Sequence, residues 1–177
     1  MHRDFVVLEV GAGDRHLGTW LVDDARCASY ESMDIDPTGH HDYRDLEAIE
    51  RQYDCIFALE VIEHLSLDEI RPWLARLGEL LRPGGRLVLS TPNTFYPPAY
   101  LRDATHRTPL CYDEFAGLVS STGLEVTRIV RVYNDPLHRL LLRRYAFGWL
   151  FRMIGIDFAR QIVLVAEKPI AITSESS

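Results

Sequence analysis

The chain has few cysteines, three in 177 residues, at positions 27, 55 and 111. The number is odd, the spacing is wide and no C-x-x-C pair occurs. A disulfide scaffold and a thiolate zinc site are therefore excluded, and free thiols in a reducing compartment are expected. No apolar run approaches the ~20 residues of a membrane span, and no signal-peptide pattern is seen at the N-terminus. The expected location is the cytoplasm. Positive charge is also scarce. Nineteen Lys and Arg face 26 Asp and Glu, a net charge of −7, which argues against nucleic-acid binding by the whole surface but leaves room for one local basic patch. Internal repeats and low-complexity tracts are absent.

Nearly half the residues are apolar, and they are spread along the chain. A chain of this length suits one domain with a real core, here residues 1–168, followed by a polar tail over 169–177. The organising stretch is Val6-Val7-Leu8-Glu9-Val10-Gly11-Ala12-Gly13-Asp14. It reads as a buried strand, an acid and a glycine turn, and a helix pattern follows at Leu17, Trp20 and Leu21. Such a unit brings backbone N–H groups and a helix start up to a nucleotide-like ligand. A dinucleotide turn, G-x-G-x-x-G, would need glycine at 16, where His16 stands.

Further strands are expected over 29–36, 53–59, 86–90, 124–133 and 161–166. The segment between Asp36 and Tyr53 is too short for a full crossover. A trimmed helix over 46–52 and a short edge strand at His41-Asp42-Tyr43-Arg44 are expected there. Tyr53 to Leu59 reads as a central parallel strand buried on both faces. An amphipathic helix is expected over 67–81, with Ile70, Trp73, Leu74, Leu77 and Leu80 on its apolar face. Gly84 and Gly85 fit a helix stop and a tight turn.

The pattern richest in chemistry is Glu60-Val61-Ile62-Glu63-His64. On a helix, Glu60, Glu63 and His64 would share one face. They would lie at the carboxyl end of a central strand, where α/β sheets bind ligands. Two carboxylates on one face repel unless something positive lies between them. A divalent cation (Mg, Mn or Zn) suits two Glu and one His, with His106 as a fourth candidate ligand. Two other readings stand beside it: a structural Glu63-His64 pair, and a metal-free catalytic His64. His106 also reads as a loop residue bonded to backbone.

The Glu9/Gly11/Gly13 turn resembles that of class I S-adenosylmethionine (SAM) methyltransferases, D/E-x-G-x-G-x-G, with Arg15 where the family often has a third glycine. Asp34 in Met-Asp-Ile-Asp-Pro, Asp54 ahead of Glu63-His64, and Leu-Arg-Pro-Gly-Gly at 81–85 follow in the family's order. The resemblance implies a Rossmann-like seven-stranded mixed α/β sheet, order 3-2-1-4-5-7-6, with helices on both faces. The third-strand region is expected to be shortened and the family's N-terminal cap missing. SAM is the implied cofactor, held by Glu9, Gly11, Ala12, Gly13, Asp34, Ile35, Asp45, Leu46 and Leu59. Asp34 would take the ribose, with Asp36 as fallback and an ordinary acidic turn as the other reading. Asp45-Leu46 would take the adenine, or Asp45 would simply cap a helix.

E-x-x-E-H with a later His resembles metal-assisted O-methyltransferases, among them the small-RNA 2′-O-methyltransferases of plants. The resemblance implies metal ligation by Glu60, Glu63, His64 and His106, with His64, His106 and Glu63 as the catalytic group. The segment Asp103-Ala104-Thr105-His106-Arg107 is similar to one in glycan and polysaccharide methyltransferases. The expected activity is O-methylation of a sugar, glycan or similar small molecule, because a hydroxyl nucleophile needs its proton removed. The alternative is a non-catalytic or partner-dependent binding module with the same fold.

The stretch 136–154 reads as one long helix, an insertion carrying Arg139, Arg143, Arg144 and Arg152 and no acid until Asp157. It would lie on a membrane, grip an anionic or lipid-linked substrate, act as a lid, form a homodimer, or merely pack on the sheet with its arginines solvated.

Overall fold

The structure, a computed structural model of the chain, describes residues 4–24 and 26–170. The part of the expected tail from 171 onward lies outside them. Six strands form one sheet in the order β2-β1-β3-β4-β6-β5. They are β1 (Val6–Val10), β2 (Ser29–Met33), β3 (Tyr53–Leu59), β4 (Leu81–Pro92), β5 (Glu125–Val132) and β6 (Gln161–Glu167). β2, β1, β3 and β4 are parallel, and β6 runs antiparallel to both β4 and β5.

The expected seventh strand is not formed. Residues 41–44 make a single parallel bridge, Met33 to Tyr43. The cause is local. Asp42 turns its carboxylate onto the Ser32 backbone N–H at 2.8 Å and the Ser32 hydroxyl at 3.0 Å. A side chain thus takes a donor that a ladder would use. The helix expected over 46–52 is likewise only a 3₁₀ turn, Leu46–Ala48.

The main core lies on one face of the sheet. Helix α2 (Leu67–Leu80) and helix α4 (Tyr112–Ser120) bury Ile70, Leu74, Leu77, Phe115 and Val119 against Leu8, Ile56, Leu87 and Leu164. α2 follows the N-cap Ser66, which donates both its backbone N–H and its hydroxyl to Glu69 Oε2. It ends one residue earlier than expected. Leu81 is already extended, so Gly84 and Gly85 belong to β4 and do not stop the helix.

The opposite face carries α1 (His16–Asp23), which places Leu21 over Val7 and Cys55. α1 sits tight on β2 because Gly18 has no side chain: a Cβ there would lie 2.3 Å from the Tyr30 ring. Asp54 fastens the start of this layer. It accepts from the Val6 N–H at 2.8 Å and from Arg82 Nη1 at 2.7 Å. Burial pushes its pKa up, but the two donors outweigh burial and hold it below the ordinary range.

Residues 137–153 do not form the single helix expected. α5 (Leu137–Leu141) leads into a π turn over Leu142–Ala146, and α6 (Gly148–Met153) follows Phe147, which has left helical geometry. Between β4 and α4 lies a one-turn helix α3 (Pro97–Tyr100), with proline at its first positions. Among the described residues no helix is long and apolar enough to cross a membrane.

Candidate active site

The carboxyl ends of β1, β2 and β3 open on a cavity of about 500 Å³. Gly11, Asp34, Ile35, Asp45, Leu46, Glu60 and His64 line it, so seven of the sequence-selected positions converge here. Met33, Val61, Leu65 and Trp73 line it as well and were not singled out. Trp73 was visible only as a core position of α2; its indole gives the cavity a broad apolar wall.

Gly11 has two reasons to be glycine. Its φ is +69°, and a Cβ would lie 2.4 Å from Val61 Cγ2. The backbone N–H groups of Gly11 and Ala12 donate to Met33 O at 2.9 and 3.2 Å. The Gly13 N–H donates to Asp34 Oδ2 at 2.8 Å, and the Asp36 N–H to Asp34 Oδ1 at 2.9 Å. Asp34 therefore holds the glycine turn closed while keeping lone pairs for a ligand. Asp36, the fallback, is exposed, binds Thr38 and does not line the cavity. Asp45 caps the 3₁₀ turn, accepting from the Glu47 N–H at 3.2 Å, and it also lines the cavity.

Glu9 and Leu59 line a different space, about 410 Å³, with Asp14, His16, Leu17 and Trp20. Glu9 is buried and takes the Tyr30 hydroxyl hydrogen, and burial raises its pKa. Ala12 and Gly13 line neither cavity. Arg15 is the helix N-cap at φ 59°, ψ 29°, a left-handed geometry that glycine adopts freely and arginine does not. It is held there by Nη1 donating to His40 O at 2.9 Å and by the Tyr30 ring, 5.4 Å from its guanidinium carbon.

The helix expected to align Glu60, Glu63 and His64 is a single 3₁₀ turn, Ile62–His64. Glu60 precedes it in the left-handed region, φ 56°. That one dihedral turns Glu60 away from the other two. Its carboxylate accepts from Ser90 Oγ at 2.7 Å, and its N–H meets Ser90 Oγ at 3.0 Å.

Glu63, His64 and His106 do come together, with one ligand atom from each within 4.8 Å of the others. Glu63 is fully buried, and neither carboxylate oxygen has a hydrogen bond of good geometry, although the Thr91 hydroxyl lies near enough to favour its charged form. Burial, reinforced by the charge of Glu60, pushes its pKa up to about 8. His106 Nε2 lies 3.9 Å from Glu63 Oε1. The loop bearing His106 is pinned over this turn by the Arg107 and Thr108 N–H groups, which donate to Glu63 O at 2.7 and 3.1 Å.

The donor inventory fixes both imidazoles. His106 Nδ1 lies 2.7 Å from the Tyr100 carbonyl, which can only accept, so Nδ1 carries the hydrogen. Thr105 Oγ1 lies 2.6 Å from Asp103 Oδ1 and 3.0 Å from His64 Nδ1. Its single hydrogen goes to the carboxylate, whose pKa Thr105 itself lowers. His64 Nδ1 must then donate to Thr105. In their neutral forms both histidines present an Nε2 lone pair, and a buried carboxylate lies among them. Lone pairs gathered within such a cluster favour a proton or a cation among them. One carboxylate and two imidazoles suit Mn or Zn better than Mg, which prefers an all-oxygen shell.

Solved structures share this fold. A SAM-dependent methyltransferase from Archaeoglobus fulgidus superposes with a TM-score of 0.74 at 14% identity, covering 93% of this chain and 86% of that one. The N-methyltransferase NodS from Bradyrhizobium japonicum, in complex with S-adenosyl-L-homocysteine, gives 0.64 at 15% identity, covering 94% and 79%. A Haloferax volcanii complex of the Trm112 methyltransferase activator with a methyltransferase gives 0.67 at 14% identity, covering 93% and 83%. No curated protein sequence matches the chain. A family model described as a methyltransferase domain matches residues 3–129, and with the Rossmann-like sheet and its strand-end cavity this places the chain in the methyltransferase-domain family.

Proposed function

We propose that the chain is a SAM-dependent O-methyltransferase acting on a hydroxyl of a sugar, glycan or similar small molecule. The observation that carries the reading is the cluster of two histidines with a buried carboxylate that has no hydrogen bond of good geometry. One of those histidines, His64, lines the 500 Å³ cavity. The cavity supports SAM as the cofactor: Asp34 would take the ribose hydroxyls, Asp45 and Leu46 the adenine, with Met33 and Trp73 as apolar walls and a glycine turn that a side chain would block. SAM, when bound, supplies an electrophilic methyl group for in-line displacement.

The chain's own residues would orient the acceptor hydroxyl and take its proton. His64 Nε2 is the base, and its Nδ1–H is steadied through Thr105 by Asp103. With a divalent cation bound, His64 would instead join Glu63 and His106 as a ligand, its Nε2 lone pair no longer free to act as base, and the cation would supply Lewis acidity that lowers the hydroxyl pKa. Glu60, turned onto Ser90, is left out of that set.

The test has two stages. Calorimetric titration with S-adenosylhomocysteine should give binding in the micromolar range, about −8 kcal/mol. Labelled methyl transfer to hydroxyl acceptors should then be lost in H64A and H106A, with S-adenosylhomocysteine affinity unchanged. Full turnover in both variants would refute the reading.

The segment 137–153 supports a peripheral membrane contact or a lipid-linked acceptor. Leu137, Leu141, Tyr145, Trp149 and Met153 recur every four residues, and all are well exposed. No acid lies between 136 and 156. Bulky apolar and aromatic side chains with arginines are the composition of interfacial helices. Sedimentation with anionic vesicles, lost in W149E, tests it. Failure to sediment together with a dimer in solution would assign the face to a second copy instead. The alternative of a partner-dependent module rests on the same face and gains if S-adenosylhomocysteine binds only weakly.

A further inference from the structure

We propose that Arg102 and Arg160 form a subsite for a phosphate or diphosphate ester carried by the methyl acceptor. The proposal rests on the methyl-transfer reading and names its substrate class. A cavity of about 260 Å³ lies beyond Glu60, which lines both it and the 500 Å³ cavity. Glu60 is therefore the partition between the two spaces, and a group seated in the smaller one adjoins the reacting centre. The volume suits a headgroup rather than a whole ligand.

The smaller cavity is rich in donors. Arg102, Arg160, Tyr96, Asn134 and Gln161 line it together with Glu60. Neither guanidinium has an ion pair or hydrogen bond among the described residues, and each lines the cavity. Arg160 is half-buried, and a guanidinium drawn partly out of water calls for an anion.

Its backbone is fixed on both sides. The Arg160 N–H donates to Val132 O at 2.9 Å, and its carbonyl accepts from the Asn93 N–H at 2.9 Å. The position is thus set before any ligand arrives. Glu60 is the one carboxylate on this cavity, and its charge is turned onto Ser90 Oγ at 2.7 Å. Two guanidiniums against one carboxylate leave a net positive charge. Planar N–H forks match phosphate oxygens in pairs.

The experiment titrates inorganic pyrophosphate into the protein saturated with S-adenosylhomocysteine. Binding should weaken at least tenfold in R102Q/R160Q, with S-adenosylhomocysteine affinity held within twofold, and R160K should fall in between. If the double variant does not fold, R102Q alone, at an exposed position, should lose at least threefold. Absence of pyrophosphate binding, or equal binding by variant and wild type, overturns the subsite and leaves methyl transfer standing. Failure of S-adenosylhomocysteine to bind overturns the methyl-transfer reading, and pyrophosphate titrated into the cofactor-free protein still reports on the arginines. Two competitors identify the source. A nucleoside-diphosphate sugar displacing pyrophosphate assigns a soluble activated sugar, and vesicles containing polyprenyl phosphate displacing it assign a lipid-linked one. Displacement by neither overturns the ester assignment.

Discussion

Replacing Glu63 by Gln should stabilise the cation-free protein, and by more the higher the pH. Glu63 titrates near 8 in the fold against an ordinary 4.5. Between those values the folded protein keeps a proton that the unfolded chain has released, so stability falls as pH rises and levels off above about 8. The gap of about 3.5 pH units, at about 1.4 kcal/mol each, sets an upper bound of about 5 kcal/mol. Relaxation and the polar neighbours reduce this to about 2–3 kcal/mol. For a chain of this size that is roughly 4–12 °C in melting temperature.

Glutamine has the same shape and no charge to desolvate, so its stability should lack the part of the decline that Glu63 contributes. Melts of both proteins by circular dichroism, in chelator, at about pH 5 and about pH 9 measure the difference. The two proteins should melt close together at the lower pH and separate at the higher. Adding manganese or zinc at the higher pH should restore the wild type, by about 2.7 kcal/mol at a hundredfold excess over Kd, and leave E63Q unmoved. A gap between the two proteins that does not change with pH would show that Glu63 ionises like a surface carboxylate, and the argument for an unmet charge in the site would fail.

Other predictions concern the glycine turn and its supports. G11A meets both the Val61 side chain and a positive φ; it should lower stability by about 1–3 kcal/mol and weaken S-adenosylhomocysteine at least tenfold by calorimetry. D34N keeps the shape of Asp34 but removes its charge, and should cost about 1–3 kcal/mol of S-adenosylhomocysteine affinity; unchanged affinity would shift the ribose contact elsewhere. R15G should be more stable than R15A by about 1 kcal/mol in urea unfolding, since both lose the contacts to His40 and Tyr30 but only glycine is at ease at φ 59°; equal midpoints would mean the turn relaxes. T105V removes the hydroxyl between Asp103 and His64, and should shift the pH dependence of kcat while leaving S-adenosylhomocysteine affinity unchanged.

Much of the site was legible because strand ends are legible. An apolar run followed by glycines fixed where β1 stops, and Asp34, Asp45, Glu60 and His64 each lie just past an apolar or turn signal. What could not be read were side-chain directions set by single dihedrals. The spacing of Glu60, Glu63 and His64 suggested a shared helical face, but one left-handed residue sends Glu60 to Ser90 instead. The pairing of Asp103 with His64 through Thr105 joins residues about forty positions apart, and no local pattern announces it. Arg160 was equally silent in sequence. One arginine among many gains meaning only when it is seen to line a cavity without a partner. The missing edge strand had a visible signal in Asp42, an acid where a ladder residue was expected.

The position of β6 between β4 and β5 bears on how the chain reaches its fold. β5 touches the sheet only through β6, and β6 comes last of the six in sequence. Pairing of β6 with β4 joins residues about 75 positions apart, Arg86 to Glu167 among them, so closure of this half is a late, non-local event. Until it happens, β4 presents an open edge and β5 has no partner in the sheet. A chain halted before residue 161 would expose both edges at once, the condition that favours pairing between molecules over pairing within one. Slow passage through the 137–153 segment during synthesis would lengthen that exposure.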